Sequence, residues 1–137
     1  MESMKKISLI VGIVFTNVCF GQPNTSACST FKLGKFSYFD SLSHTIFVKR
    51  KKNRQFEFDS YTKVKSMSKI WWISDCSYGL KLLWSDSKKE RKKDMGSETI
   101  VVITKIIGNN EAYEYSCGCA DSTIRLKSTG IMRRENN

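Results

Sequence analysis

The sequence contains one histidine, His44, and one proline, Pro23, and it has no Gly-rich phosphate loop. General acid–base chemistry at His44 would need a carboxylate that orients the ring and a nucleophile beside it, and the spacing assigns neither. Structural zinc sites usually have two to four residues between paired ligands, whereas a single residue separates Cys117 from Cys119. The sequence therefore predicts a chain without catalytic residues, without a metal and without a cofactor. We interpret His44 as a solvated turn residue.

Long apolar runs are also scarce, and the longest, residues 7–20, directly follows the basic start MESMKK. A basic start, an apolar run of about 14 residues and a small residue after it are typical of a secretory signal peptide. The run is shorter than the roughly 20 residues of a transmembrane helix, and no later segment is long and apolar enough to span a bilayer. Because Cys19 and Gly21 are small, we predict cleavage between Gly21 and Gln22. Residues 1–21 are then a signal peptide, and residues 22–137 form one domain.

A lipid anchor is the alternative to soluble export. Cys19 and Cys28 are the cysteines that an acyl chain would modify. Val18 is larger than the residue that a lipobox places before its cysteine, and Cys28 lies far beyond the apolar run. We therefore expect export to the periplasm or the medium, with attachment to the envelope as the alternative and an uncleaved membrane segment as a third interpretation.

Proline is absent after Pro23, and apolar residues there recur at every second position between turn signals. Such alternation indicates β-strands. The alternating sets are Gly34, Phe36 and Tyr38; Ile46 and Val48; Phe56 and Phe58, which alternate with Gln55 and Glu57; Ile70 and Trp72; Tyr78, Leu80, Leu82 and Trp84; Ile100 and Val102; Tyr113, Tyr115, Cys117 and Cys119; and Ile124 and Leu126. About eight short strands predict an all-β fold, either an antiparallel up-and-down barrel or a strongly curved meander, with a β-sandwich as the alternative.

Two segments between these strands carry signals of their own. Ser74-Asp75-Cys76-Ser77 predicts the turn between a strand that ends in tryptophan and the strand that begins at Tyr78. At least one of the two tryptophans before this turn is expected to point inward. Residues 85–96 contain Ser87-x-x-Glu90, which has the spacing of a capping box, and Gly96 as a stop signal. This segment predicts one or two helical turns without an apolar face.

Four cysteines remain after the leader: Cys28, Cys76, Cys117 and Cys119. An even number in an exported chain indicates disulfides, and four cysteines allow three connectivities. Cys117 and Cys119 share one face of a strand with Cα atoms roughly 6.6 Å apart, at the edge of what a disulfide spans. Successive turns of a meander alternate between its two ends, which places Cys28 and Cys76 at the same end. We predict the disulfide Cys28–Cys76.

Acidic residues are few, 13 against 23 lysines and arginines. Removal of the leader takes away two lysines and one glutamate and lowers the formal charge from +10 to +9. So basic a chain favours anionic partners. The cations cluster in two hairpin segments, at opposite ends of a meander: Lys49, Arg50, Lys51, Lys52 and Arg54, and then Lys88, Lys89, Arg91, Lys92 and Lys93. Because base-stacking aromatic residues are not visibly interleaved with them, we do not expect specific nucleic-acid binding.

Three sets of residues carry a resemblance to known proteins. They are Cys28-x-x-Phe31-Lys32-x-Gly34-x-Phe36-x-Tyr38, then Trp72-x-Ser74-Asp75-Cys76-x-Tyr78-x-Leu80, and then Gly130-x-Met132-x-Arg134. With these sets the chain resembles a group of small, uncharacterised exported proteins of Bacteroidota. Gly34-x-Phe36 is also similar to the Gly-x-Trp start of lipocalins, with phenylalanine in place of tryptophan. The resemblance implies an exported bacterial protein with a lipocalin-like barrel.

These observations lead to two hypotheses for a non-enzymatic domain. The first is a carrier or binding module for a small apolar ligand, which would lie in the curved sheet against Phe36, Tyr38, Trp72, Tyr78 and Leu80. The same side chains would simply fill the core if the barrel has no cavity, as happens in many eight-stranded barrels. The second hypothesis is a cell-envelope module that uses its basic hairpins to bind anionic surfaces.

Overall fold

The computed structural model of the protein describes residues 25–119 and 128–136. The predicted signal peptide and the predicted strand at Ile124 and Leu126 lie outside these residues. None of the helices in the described ranges combines the length and the apolar character that crossing a membrane requires.

The described residues form a closed barrel of eight antiparallel strands in up-and-down order. The strands are β1 (Gly34–Phe39), β2 (Thr45–Lys51), β3 (Arg54–Asp59), β4 (Lys65–Ser74), β5 (Ser77–Ser85), β6 (Glu98–Ile107), β7 (Ala112–Cys119) and β8 (Ser128–Arg134). Each strand pairs with the next, and β8 pairs with β1 through Phe36 and Arg134 and through Ser37 and Arg133. The predicted all-β, lipocalin-like barrel is confirmed.

A 3₁₀ helix (Thr25–Phe31) precedes β1 and covers one end of the barrel, which we name the closed end. The disulfide Cys28–Cys76 joins this helix to the turn between β4 and β5, and the predicted pairing is confirmed. Phe31, the last residue of the helix, is fully buried. Its ring lies 4.8 Å from that of Tyr113 and 6.2 Å from that of Phe36, measured between centroids. The 3₁₀ helix therefore plugs the closed end with an aromatic side chain.

Arg134 holds β8 against this plug. The guanidinium carbon lies 5.2 Å from the ring centroids of both Phe31 and Phe36. Nη2 donates to the carbonyl oxygen of Thr30 at 2.7 Å, and Nε donates to that of Asn110 at 3.2 Å. Gly34 starts β1 with a φ of +123°, which favours glycine, and a Cβ there would lie 3.4 Å from Nη1 of Arg134. Gly34 and Phe36 thus help to build the closed end.

The opposite end, which we name the open end, carries the turns β1–β2 and β3–β4 and the helix α1 (Lys88–Asp94). Ser87 caps this helix by accepting a hydrogen bond from the backbone N–H of Glu90 at 3.3 Å. No residue of α1 is buried. The short helix without an apolar face, predicted from the capping box, is confirmed.

A β-bulge in β5 changes which face its last residues present. Ser68 pairs with Leu82, but Met67 pairs with Trp84, so Leu83 is an extra residue in β5. An extra residue reverses the alternation of side chains beyond it. Leu80 and Leu82 therefore point into the barrel, whereas Trp84 points outward and is 44% exposed. The prediction that Trp84 shares a face with Tyr78, Leu80 and Leu82 is wrong.

The two consecutive tryptophans of β4 lie on opposite sides of the sheet. Trp72 points inward, where its ring lies 4.8 Å from that of Tyr78. Trp71 points outward and lies flat across Gly79, its partner on β5. A Cβ at residue 79 would be 2.2 Å from the Trp71 ring, so only glycine permits this contact. The two tryptophans before the β4–β5 turn therefore have a mainly structural role.

The disulfide is expected to dominate the stability of the closed end. Cys28→Ala/Cys76→Ala opens a link between residues 48 apart in the chain and should lower the free energy of unfolding by about 2 to 5 kcal/mol, because the unfolded chain gains entropy. Urea unfolding monitored by circular dichroism measures this change. A reducing agent should destabilise the wild type to the level of the variant and leave the variant unchanged. Equal stability of the oxidised wild type and the variant would contradict the prediction.

Candidate functional site

The polar face of β3 points into the barrel. Arg50 and Val48 of β2 face the interior, and their partners on β3 are Gln55 and Glu57. Phe56 and Phe58, which alternate with them, therefore lie on the outer face. This orientation is unusual, because a strand of a small barrel ordinarily turns its aromatic residues toward the core. It gives the protein a polar strip inside the barrel and an aromatic strip outside it.

Arg50 is the charged centre of the interior and is only 2% exposed. Nη2 donates to the hydroxyls of Tyr78 and Tyr113, both at 2.7 Å. Nε donates to Oε1 of Gln55 at 2.8 Å, and Nη1 donates to the carbonyl oxygen of Phe31 at 2.9 Å. Among the described residues, Arg50 forms no ion pair with a carboxylate. Neutral oxygens satisfy its guanidinium, which is how a buried charge without a counter-ion is tolerated.

The position of Arg50 corrects its assignment to the basic surface cluster. The alternation of β2 places Arg50 on the same face as Ile46 and Val48, which is the inner face. Its guanidinium carbon lies 4.6 Å from the ring centroid of Tyr78 and 4.9 Å from that of Phe36. Arg50 therefore connects the strands from inside, and an anionic surface has no access to it.

The hydrogen-bonded line continues from Arg50 through Gln55 to Glu57, toward the open end. Oε1 of Glu57 accepts a hydrogen bond from the hydroxyl of Tyr38 at 3.0 Å and one from Nε2 of Gln55 at 3.3 Å. Burial raises the pKa of the Glu57 carboxyl; the Tyr38 hydrogen bond opposes this shift, and the charge of Glu90 adds to it. Burial likewise raises the pKa of Tyr38, and the adjacent Glu57 raises it further. The interior thus contains a carboxyl group that holds its proton more tightly than an exposed one.

Glu57 lies where two cavities meet beneath α1. One cavity of about 390 Å³ extends into the barrel, and a second of about 390 Å³ extends toward the β3–β4 turn. Both are lined by Tyr38, Glu57, Glu90 and Asp94. The apolar wall of the first cavity consists of Tyr78, Leu80, Leu82, Val101, Tyr115, Cys117 and Met132. The open half of the barrel is therefore a chamber with an apolar wall and an acidic region at its mouth, and we name it the chamber.

The structure divides the five residues predicted to contact a ligand. Tyr38, Tyr78 and Leu80 line the chamber. Phe36 is fully buried at the closed end, beside Phe31. Trp72 packs against Tyr78 and lies beneath Lys32, with Nζ 5.3 Å from the ring centroid. These two residues therefore belong to the core at the closed end and not to the wall of the chamber.

Sequence reasoning missed the polar residues of the chamber. Gln55 and Glu57 alternate with two phenylalanines, and hydrophobic periodicity alone does not mark a carboxyl that points into the barrel. Tyr115 was identified only as a member of a strand. Its ring leans over Gly130, where a Cβ would lie 2.5 Å from the hydroxyl oxygen. Burial raises the pKa of Tyr115 to about 12.

His44 is less exposed than a solvated turn residue, because its side chain is only 15% accessible. Nδ1 lies 3.1 Å from Oδ2 of Asp59 and 3.4 Å from Oδ2 of Asp40. The two remaining carboxylate oxygens accept backbone N–H bonds within the β1–β2 and β3–β4 turns. The three side chains have potential metal ligands within 4.8 Å of one another. Their visible role is to link two neighbouring turns at the open end.

The two basic clusters lie at opposite ends, as the meander predicts. Lys51, Lys52 and Arg54 surround the β2–β3 turn at the closed end, and the second cluster forms α1 at the open end. Aromatic residues that are not interleaved with the first cluster in the sequence lie beside it in the structure, because neighbouring strands bring them together. Nζ of Lys51, for example, lies 5.7 Å from the ring centroid of Phe56.

Loss of the hydrogen bonds that the Arg50 guanidinium donates should destabilise the barrel. Arg50→Lys keeps the charge but cannot supply donors in the geometry that Tyr78, Tyr113 and Gln55 require, so at least one buried acceptor loses its partner. We expect the free energy of unfolding to fall by about 2 kcal/mol or more. Arg54→Lys, the same substitution on the outer face, is the control and should change it by less than about 0.5 kcal/mol. Denaturant titrations that give equal changes for both variants would contradict this role.

Glu57→Gln should stabilise the protein at neutral pH. Because the folded pKa lies above the ordinary 4.5, the folded state binds the proton more tightly than the unfolded state. Wild-type stability therefore falls as the pH rises from that value through the raised pKa. A neutral glutamine still accepts the Tyr38 hydrogen bond and removes this loss. Thermal unfolding from about pH 4 to about pH 8 should show a higher midpoint for the variant at the upper end only. A midpoint difference that does not change with pH would refute the assignment.

Comparison of the chain with protein-family models, with curated proteins and with solved structures finds no match. No functional residue is therefore transferred from a relative. The chemistry of the chamber is derived from the contacts of its own side chains. Its distinguishing feature is the half-buried carboxyl of Glu57, which lies between an apolar wall and the acidic residues at the mouth.

Proposed function

We propose that the protein is a non-enzymatic carrier that binds a small amphipathic molecule in the chamber. The observation that supports this proposal is the chamber itself. It has about 390 Å³ of space inside a barrel that a plug and a disulfide seal at the other end. Ligand cavities of this size, mostly apolar and with a few placed polar groups, are typical of small-molecule binding sites.

The lining favours a ligand with one basic or hydrogen-bond-donating end. A purely apolar molecule would displace water from the Glu57 carboxyl and offer it no hydrogen bond in return, which costs free energy. A protonated amine beside Glu57 would lower its pKa and form a charge-assisted hydrogen bond. The acidic side chains of Glu90, Asp94 and Glu98 also line this space, and they would attract a cation despite the positive charge of the chain. We therefore extend the sequence-based expectation of an apolar ligand to an apolar body with a cationic end.

The helix α1 is the element that would admit the ligand. It contains no buried residue, and its side chains are linked to Ser85 of β5: Glu90 hydrogen-bonds to this residue, and Nη1 of Arg91 donates to its carbonyl oxygen at 2.7 Å. Segments held by few buried contacts open locally at low free-energy cost. Ligand entry past α1 would leave the plug and the disulfide at the closed end undisturbed.

The proposal includes export of the protein from the cytoplasm. The disulfide is favoured by an oxidising compartment, such as the periplasm or the extracellular medium. A carrier in such a compartment works without catalysis, and its residues need only to bind and release the ligand. The signal peptide expected at residues 1–21 would deliver the chain there, in line with the resemblance to small exported proteins.

Native mass spectrometry of the oxidised mature protein, purified from a bacterial periplasm, tests the carrier function. We expect an extra mass that disappears on denaturation. Leu80→Trp fills the chamber and should reduce occupancy at least tenfold, whereas Ile131→Trp, on the outer face of β8, should leave it unchanged. Titration of the emptied protein with hydrophobic amines should then show binding that Glu57→Gln weakens. A bare polypeptide mass together with no binding of amines, fatty acids or neutral apolar probes would refute the carrier function.

A further inference from the structure

The outer face of β2–β5 carries a contiguous apolar area. Phe47 of β2 lies opposite Phe58 of β3, Phe56 lies opposite Met67 of β4, and Met67 lies opposite Trp84 of β5. We name these five side chains the aromatic patch. They line an outer trough of about 650 Å³, and Phe47 and Trp84 are 43% and 44% exposed. Exposed apolar areas of this kind ordinarily mark an interaction surface.

A row of four cations borders the aromatic patch on the side of the closed end. Lys51 pairs with Arg54, Arg54 pairs with Lys69, and Lys69 pairs with Lys81, so four neighbouring strands present positive charges in register. We name these residues the cation row. Like charges directly opposite each other in a sheet are destabilising. Within the described part of the chain, none of the four forms an ion pair, although Glu98 follows Lys81 as its partner on β6. The four cations therefore repel one another, and the binding of an anionic partner would reduce this repulsion.

Lysines also border the patch on its other sides. Lys35 pairs with Lys49, a further like-charged pair, beside Phe56, and Lys65 pairs with Phe58 toward the open end. Nζ of Lys63 lies 5.8 Å from the ring centroid of Phe58. Two acids line the trough, Glu57 and Glu135. The carboxyl of Glu57 is hydrogen-bonded to Tyr38 and Gln55 on the inner side of the sheet, and Glu135 accepts a hydrogen bond from the hydroxyl of Ser37. The face is therefore an apolar centre with a cationic border.

We propose that this face docks onto the surface of a bilayer that contains anionic phospholipids. The aromatic patch enters the boundary between headgroups and acyl chains, and the cation row lies at the level of the phosphates. Apolar burial combined with lysine contacts to anionic lipid is the energetic basis of reversible interfacial binding. Lysines suit this position because their stems cover apolar surface while their ammonium groups stay in the polar layer.

The arrangement of charge favours a lipid surface over other partners. In a symmetric dimer this face would meet its own copy, and because cations border the patch on several sides, the cationic borders of the two copies would lie close together and repel each other. Single-stranded nucleic acid also combines phosphates with stacking bases. The disulfide, however, is typical of an oxidising compartment, where membrane lipid is the abundant polyanion. The proposal does not depend on the carrier function, because neither the patch nor the row needs a ligand in the chamber.

Vesicle co-sedimentation of the oxidised mature protein measures this docking. We expect binding to phosphatidylcholine vesicles that contain phosphatidylglycerol, weak binding to phosphatidylcholine alone, and loss of binding as ionic strength rises. Lys51→Glu/Lys69→Glu should weaken binding at least tenfold, since each lysine near an anionic surface contributes substantially. The matched control is Lys88→Glu/Lys92→Glu, which makes the same change of charge on the exposed face of α1. It should weaken binding no more than threefold.

The aromatic patch is tested separately with fluorescence. Lipids brominated in the acyl chain should quench Trp84, and Trp84→Phe should lose most of this quenching, because Trp72 points inward and Trp71 lies flat on the barrel wall. Phe47→Ser should weaken vesicle binding severalfold, while Ile131→Ser on the outer face of β8 should not. Circular dichroism of each variant establishes that it is folded before its binding is compared.

Three results would overturn the proposal. Equal binding to neutral and anionic vesicles would exclude the cation row as the contact. Equal losses in the two lysine double variants would indicate attraction by the overall charge and not by this face. Binding of a single-stranded oligonucleotide that is tighter than vesicle binding, and that is lost in Lys51→Glu/Lys69→Glu, would assign the face to nucleic acid.

Discussion

The architecture depends on the way in which one buried guanidinium is satisfied. Arg50 donates to oxygens of β3, β5, β7 and the 3₁₀ helix, so a single side chain fixes the distances between strands that are far apart in sequence. A buried cation is costly unless every donor finds an acceptor. Tyr78, Tyr113 and Gln55 must therefore be polar and point inward, which commits the other positions of β3 to the outer face. The polar interior and the aromatic exterior are two results of the same constraint.

The barrel could be predicted from the sequence because its signals are local. Alternation at Phe36 and Tyr38 or at Ile46 and Val48 reports a half-buried strand, and a meander needs only short turns between strands. The pairing of Cys28 with Cys76 followed from counting turns, since the ends alternate. The helix at residues 88–94 followed from the Ser87 cap. These features can be predicted without knowing which side chains face each other across the barrel.

The site could not be predicted in the same way, because its residues are defined by the side of the sheet on which they lie. Nothing in the stretch Arg54–Asp59 indicates whether Glu57 or Phe58 points inward, and the answer depends on its pairing with β2. The Leu83 bulge that exposes Trp84 is likewise a property of the pairing with β4. Arg50 was assigned to a charge cluster for the same reason: a linear run of cations does not show that alternate members lie on opposite faces.

β3 therefore encodes two surfaces in a single stretch of six residues, with even positions belonging to one and odd positions to the other. A point substitution can change one surface and leave the other intact, which allows them to evolve separately. A deletion or insertion of one residue within the strand has the opposite effect, since it would exchange the two sets and bury phenylalanines where the carboxyl and amide now lie. Length variation should then be confined to the turns, and β3 should keep a constant length among homologues even where its individual residues differ.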